Sequence, residues 1–378
     1  MTRILLLLTL AMTLPAEVHP LEFREHTVAT GLKGGYQVVP CDVNHDGKID
    51  LIALSSGLTD LVWYENPNWE PHVIAHNLPR LINLAAWDTD GDGIPEIVVA
   101  YEFSMQAKES AGIVAVLKHH GDPRGLWTIQ EIDRLPASHR LRWADIDGSG
   151  KKVLINAPLT GATAEAPDYR EHVPLVYYRP GEWKRRLIDD TNEGVQHGIT
   201  IVDWDGDGRD QILTASFVGI HLYKLGATGD WQRTEIAKGD PAPWPKSGSS
   251  DTAVGKTGSA RFIAAIEPWH GNRVAIYRKS AAGWAREVID DSLVDGHTIL
   301  AADLAGDGND EVIAGFRGKP QRVYIYRFDG KKWNRQTLDD GGISAAACAV
   351  ADLNGDGRLD VACIGSATQN LKWYENLK

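Results

Sequence analysis

The segment "QHGITIVDWDGDGRDQILTAS", Gln196 to Ser216, sets an acidic Asp-Gly loop between two apolar runs. Runs this short, rich in β-branched residues and separated by turn-forming residues, predict two strands joined by the loop. The loop recurs as "DVNHDGKID" from Asp42, "DTDGDGIPE" from Asp88, "DIDGSGKKV" from Asp145, "DLAGDGNDE" from Asp303 and "DLNGDGRLD" from Asp352. Each copy again lies between apolar runs, such as "LIALS", "IVVAY" or "VIAGF". Self-similarity of this kind outranks every other signal in deciding a fold.

A second signature sets the count. An aromatic followed five residues later by an aliphatic recurs at Phe23/Val28, Trp69/Ile74, Trp127/Ile132, Trp183/Ile188, Trp231/Ile236, Trp284/Ile289 and Trp333/Leu338. Tyr-rich runs precede most of the tryptophan copies, as in "LVWYENP", "LVYYRPG" and "VYIYRF". Each unit thus supplies four strands, and seven such units predict an all-β, seven-bladed β-propeller over residues 21–378. The chain ends on a third strand, "LKWYENLK", while "LEFREHTVAT" near the start is a fourth strand without a blade. Their pairing is expected to close the seventh blade and leave no sheet edge unpaired. In blade five "GKTGSA" stands where the others carry acids, so that blade is expected to fold without a cation.

Residues 1–20 read as a signal peptide, with Arg3, a short apolar run and Ala16 near a plausible cleavage point. Its apolar core is too short to span a bilayer, and no other segment approaches that length. A secreted or periplasmic chain, without a transmembrane anchor and monomeric, is expected. The net charge of −12 argues against nucleic acid as a partner. Cys41, Cys348 and Cys363 each sit in an apolar run and read first as buried thiols, with one disulfide as the alternative.

Calcium takes several oxygen ligands on a tight turn, with glycine where the backbone folds back. Position 1, 3, 5 and 9 ligands are complete in three loops: Asp42, Asn44, Asp46, Asp50; Asp88, Asp90, Asp92, Glu96; and Asp352, Asn354, Asp356, Asp360. Asp203, Asp205 and Asp207 are followed by Gln211 at position 9, so calcium is expected there too. Ala305 in the sixth blade, and Ser149 and Val153 in the third, remove ligands, and weak or no binding is expected.

Six residues before the first acid of each loop stand Tyr36, Ile82, His139, His197, His297 and Ala346. In a propeller the first strand of each blade lines the central channel. His139, His197 and His297 are therefore expected to converge at the end opposite the acids. A structural hydrogen-bonding histidine, such as a Gly-His pair supplies, is the alternative reading. Loops after the second strands, Glu102 to Gly112 and Pro158 to Pro174, open on that same face and are long, as functional loops commonly are. Arg80, Tyr101, Trp269, His270 and Arg317 complete the expected substrate-binding pocket. Three neutral imidazoles suit Zn2+ or Mn2+ with open positions. Tyr36 is the candidate proton donor and Arg140 the substrate clamp, beside the three histidines as ligands or base.

The "DxDGDGxxD" loops between apolar strands resemble FG-GAP/VCBS repeats, which implies the seven-bladed propeller and structural calcium. "VWYENPNW" (Val62 to Trp69) and "KWYENL" (Lys372 to Leu377) are most similar to the propeller domain of the aldos-2-ulose dehydratases. Propeller-type polysaccharide lyases, ulvan lyases among them, use His, Tyr and Arg at the channel mouth. Together these resemblances imply a carbohydrate partner and a lyase or dehydratase, by metal-assisted β-elimination on a uronate-containing or keto sugar. A non-catalytic glycan- or protein-binding propeller and a glycoside hydrolase are the alternatives.

Overall fold

A computed structural model describes residues 19–378; the expected leader at residues 1–20 falls almost wholly outside them. Seven four-stranded antiparallel sheets follow one another along the chain. Blade one comprises Gly35–Cys41, Asp50–Ser55, Leu61–Glu65 and Glu70–Ala75, and blades two to six repeat that order. Blade seven is built from both ends of the chain. Phe23–Thr30 pairs with Asn370–Asn376, from Phe23 opposite Asn376 to Thr30 opposite Asn370.

The burial of each strand follows its place in the blade. Second strands such as Asp50–Ser55, Gln211–Ser216 and Glu311–Phe316 are buried at every residue. They lie inside a sheet packed on both faces by neighbouring blades, so their sequences are continuous apolar runs rather than alternating ones. Fourth strands such as Thr128–Arg134 form the outer edge and are mostly exposed. The tryptophans lead these strands from within them (Trp231, Trp284, Trp333) or from the turn just before (Trp69, Trp127, Trp183).

Blades are tied by a repeated polar contact. Tyr178, Tyr223, Tyr326 and Tyr374 of third strands donate to Asp133, Asp189, Asp290 and Asp339 on the fourth strand of the preceding blade. A cation joins each carboxylate: Arg185, Arg233, Arg335 or Lys372. A buried carboxylate without such partners would be costly. Cys348 and Cys363, opposite each other on adjacent strands of blade seven, form a disulfide, which corrects the reading of three free thiols. Cys41 alone is free, and burial followed by Asp42 pushes its thiol up to about 12.

Each acidic loop joins first and second strands. In blade five, Asp251–Thr257 and Ala260–Glu267 instead meet through a tight turn at Gly258. Position 9 does backbone work. The two carboxylate oxygens of Asp50 accept the amides of Val43 and Asn66 at 2.9 Å each. Asp360 accepts those of Leu353 and Asn376. Gln211 accepts the Trp204 amide through its own carbonyl oxygen, so an uncharged residue serves equally there.

Candidate functional site

The histidine register coincides with a β-bulge. Pairing between first and second strands slips across Tyr36, His139, His197, His297 and Ala346, one residue in each of five blades. A bulge leaves its extra residue unpaired and re-aims the side chain. Here it turns the side chains toward one another at the end of the channel. Ring centroids lie 5.0 Å apart for His139 and His197, 5.1 Å for His197 and His297, and 5.3 Å for Tyr36 and His297. His270, on the loop after Glu267 of blade five, completes the group at 4.9 Å from His197 and 5.1 Å from His297.

Hydrogen bonds order the rings. His197 Nδ1 meets the Ser250 carbonyl at 3.1 Å and His297 Nδ1 meets the Ala346 carbonyl at 2.5 Å. A carbonyl only accepts, so both rings carry their proton on Nδ1 and present a bare Nε2. That of His297 is buried with no partner. His139 Nε2 lies 2.9 Å from the Tyr36 hydroxyl and 3.2 Å from Arg140 Nη1. Arg140 also reaches His197 Nε2, at 3.4 Å.

Burial is the main cause of a depressed affinity for protons throughout the cluster. It holds His139 and His197, next to the Arg140 guanidinium, well below the ordinary imidazole range. His297 is held down by burial and then Arg317. Burial and Arg317 bring His270 down to about 3, with Asp295 opposing. The cluster is therefore a set of neutral bases at pH 7.

The set with ligand nitrogens mutually within 4.8 Å is His197, His270 and His297, whereas His139 is engaged by Tyr36 and Arg140. His270 accommodates two proton placements. Arg317 Nη2 at 3.1 Å can donate to its Nδ1 while Nε2 donates to His197, 3.3 Å away. Alternatively Nδ1 carries the proton toward Asp295, at 3.3 Å, and Nε2 is left bare. The second placement gives three bare Nε2 atoms with Nδ1 held by an acceptor, the arrangement of metal-bound histidines. The donor set fits a borderline divalent ion such as zinc.

A cavity of about 550 Å³ runs along the channel, with Tyr36, Arg140 and His297 at the imidazole end and Trp87 and Lys152 toward the acidic loops. The expected bowl on the outer imidazole face is thus replaced, for this cavity, by the channel itself. On that outer face the long loops instead pack an apolar cluster that includes Ala107, Tyr169 and Phe217, with Phe103 and Trp269 against it. Phe103 lies 5.5 Å from His139, and Trp269 lies 4.8 Å from His270 with the two rings tilted by 42°. Arg317 makes a two-pronged pair with Asp295. Arg80 and Tyr101 stand apart: Arg80 is exposed beside Glu102, and Tyr101 packs into the core between blades one and two.

Three residues on or behind the channel wall escaped sequence reasoning. Ser250 occupies the histidine register in blade five, and Asp251 follows it into the channel. Arg142 lines the same cavity two residues beyond Arg140. No count could reach blade five's register, because that blade has no acidic loop to count back from.

In the acidic loops, oxygens of Asp88, Asp90 and Glu96 lie within 4.8 Å of one another. Position 1 acids already accept loop amides, as Asp42 does from Asp46 and Gly47. Cations from third strands enter four loops: Lys118 at Asp90, Arg179 at Asp147, Lys224 at Asp205 and Arg327 at Asp307. In blades one and seven the corresponding residues are Glu65 and Glu375.

Residues 111–280 match the family described as aldos-2-ulose dehydratase, beta-propeller domain, and residues 42–99 and 303–363 match the FG-GAP-like repeat. The aldos-2-ulose dehydratase of Phanerodontia chrysosporium is similar at 26% identity over 288 residues, 67% of this chain. That alignment spans only 31% of the dehydratase. A chain from the crystal structure of BBS1N in complex with ARL6DN superposes with a TM-score of 0.57 at 10% identity, over 95% of this chain and 97% of that one. This last likeness concerns the fold alone.

Proposed function

We propose that the chain is a carbohydrate lyase or dehydratase that carries out β-elimination on a keto or uronate sugar at the imidazole end of the channel. The observation that carries this reading is the Tyr36 hydroxyl on His139 Nε2, at 2.9 Å, facing a cavity shared with Arg140 and the bare Nε2 of His297. The similarity to the dehydratase propeller supports the carbohydrate class.

Elimination needs one group to take the proton α to a carbonyl and another to protonate the leaving oxygen. The Arg140 guanidinium, 3.5 Å from the Tyr36 hydroxyl, stabilises negative charge on that oxygen, so that His139 Nε2 draws the Tyr36 proton despite its own lowered proton affinity. The phenolic oxygen so freed takes the α-proton. The electron pair of that C–H bond becomes the double bond as the C–O bond breaks, and the proton held by His139 passes to the leaving oxygen. The Arg140 guanidinium faces the negative charge that develops on the carbonyl oxygen. A divalent ion on His197, His270 and His297, when bound, supplies Lewis-acid polarisation of that carbonyl. Calcium in the loops from Asp42, Asp88, Asp203 and Asp352 belongs to the same proposal as a structural element, as does an exported location.

Burial favours the second reading, a propeller that only binds. His139, His197 and His297 are 1%, 1% and 2% exposed, as structural histidines would be. Incubation with an aldos-2-ulose and with uronate-containing glycans separates the readings. Elimination gives an unsaturated, ultraviolet-absorbing sugar that Tyr36→Phe no longer forms. New reducing ends without that absorbance would establish a hydrolase, and glycan binding untouched by His297→Ala with no product would establish a binding module. Elemental analysis of the same samples is expected to find about one zinc or manganese that a His197→Ala/His297→Ala variant lacks, with calcium equal in both.

A further inference from the structure

The charge of the channel lining runs against that of the protein. The chain carries a net charge of −12, yet the cavity wall holds three cations, Arg140, Arg142 and Lys152, and one acid, Asp251. Arg140 is only 5% exposed and meets neutral partners, Tyr36, His139 and His197. Arg142 Nη1 donates to the Leu141 carbonyl at 2.7 Å and to Asn83 Oδ1 at 3.1 Å, again neutral oxygens. Among the described residues neither guanidinium has a carboxylate within 4.0 Å, although most other arginines of this protein do. Arg140 is buried and Arg142 half-buried on the channel wall, and Asp251 is the carboxylate whose charge acts on both from beyond contact distance. Guanidiniums with no carboxylate in contact are under-compensated there, and their planar forks match the two oxygens of a carboxylate. Burial, and then Arg140, brings Arg142 down only to about 10, so it remains a cation at neutral pH.

The remaining wall is apolar, with alanines set among larger side chains such as Leu84, Ile199 and Leu300. Ala85, Ala253, Ala301, Ala347 and Ala349 line the channel from blades two, five, six and seven. A cavity of about 550 Å³ is within the range of small-molecule sites, roughly 300–1,000 Å³. Thr200, Thr252 and Thr298 also line the wall, with Thr200 Oγ1 on the Thr252 carbonyl and Thr298 Oγ1 accepting the Cys348 amide, so these hydroxyls tie neighbouring blades together.

We infer that the channel is a binding site for a carboxylate-bearing monosaccharide, a uronic or sugar acid, with Arg142 and Arg140 receiving its carboxylate. This inference rests on the proposed elimination site and narrows its substrate class from keto or uronate sugars to the acids. It also gives the ligand a place: inside the channel, below the imidazoles, with its far end toward Trp87.

Calorimetric titration of the intact protein tests this with D-glucuronate, D-glucose and inorganic phosphate. Glucuronate is expected to bind, glucose at least 10-fold more weakly, and Arg142→Met to weaken glucuronate at least 10-fold while Arg142→Lys recovers part of the loss. The glucuronate–glucose comparison uses the unmodified protein and stands even if Arg142→Met does not fold. Equal binding of glucose, no binding of glucuronate, or unchanged affinity in folded Arg142→Met overturns the inference. Phosphate binding as tightly as glucuronate overturns the carboxylate assignment in favour of a general anion site. Binding is read without turnover, so the two claims fail separately. Glucuronate bound but no sugar eliminated sinks the proposed reaction alone, whereas elimination on a neutral keto sugar without glucuronate binding sinks this inference alone.

Discussion

The two ends of one strand in blade four solve opposite problems. Asp203, Asp205 and Asp207 gather negative charge at one end, and His197 meets three other imidazoles at the other. At the acidic end charge is compensated piece by piece. Loop amides satisfy Asp203, Arg209 lies on Asp207, and Lys224 reaches Asp205. At the imidazole end burial removes the charge instead and leaves a bare nitrogen on His297 and an unpartnered Nδ1 on His139. Groups that are saturated by their own neighbours hold a fold together; converging groups with spare valence are available for chemistry.

The comparison breaks most sharply on turnover. Tyr36→Phe, which removes positioned proton transfer, and His297→Ala, which removes a ligand of the carbonyl-polarising ion, are each expected to lower kcat for elimination by about 10²–10⁴, while the far-ultraviolet circular dichroism stays that of the parent. Next in size is a change that should affect stability alone. Asp339→Ala removes the acceptor of Tyr374, Lys372 and the Gly342 and Ile343 amides between blades six and seven. Chemical denaturation should show a loss of about 3 kcal/mol, because a buried partner is left uncompensated. Turnover per folded molecule should not change.

A third test uses pH. An exposed histidine acting as base gives an inflection near 6.5. Burial and neighbouring guanidiniums lower the cluster's proton affinity, so its neutral, active form persists as pH falls through 6.5. A profile of kcat/KM is expected to stay level from pH 8 to 6 and to decline only toward the lowered values. The smallest effect concerns the acids. Lys118 lies on Asp90 and 3.3 Å from Glu96, where a cation would sit. Lys118→Ala should cost under about 1 kcal/mol without calcium, since the pair is largely exposed, and should raise calcium affinity by isothermal titration.

The fold was legible because each blade repeats its own evidence. The loop acids, the fully buried second strands and the tryptophans before or at the start of the outer strands all recur, and the single strand Phe23–Thr30 completes the three C-terminal strands of blade seven. The site was legible only where the repeat provided a ruler. Counting back from the acids reached His139, His197 and His297, but blade five has no acids, so Ser250 and Asp251 could not be placed. His270 was named from its loop, yet its proximity to His197 depends on a turn after Glu267 that no spacing rule describes. Arg80 and Tyr101 were misplaced because chain proximity to a blade face says nothing of side-chain direction. Arg142 went unnoticed because its meaning lies in the carboxylates it lacks. The Cys348–Cys363 bridge depends on strand register, which places the two residues opposite each other only once blade seven is assembled.

The central claim is that chemistry belongs to the imidazole end and integrity to the acidic end. It is tested most directly by the rate at which the parent, His297→Ala and Asp356→Asn form an ultraviolet-absorbing unsaturated sugar under one set of conditions. The account predicts that the folded His297→Ala variant loses the rate at least 100-fold while Asp356→Asn keeps it. A folded His297→Ala variant that works at the parent rate, or an Asp356→Asn variant that stays folded and loses it, would contradict the account.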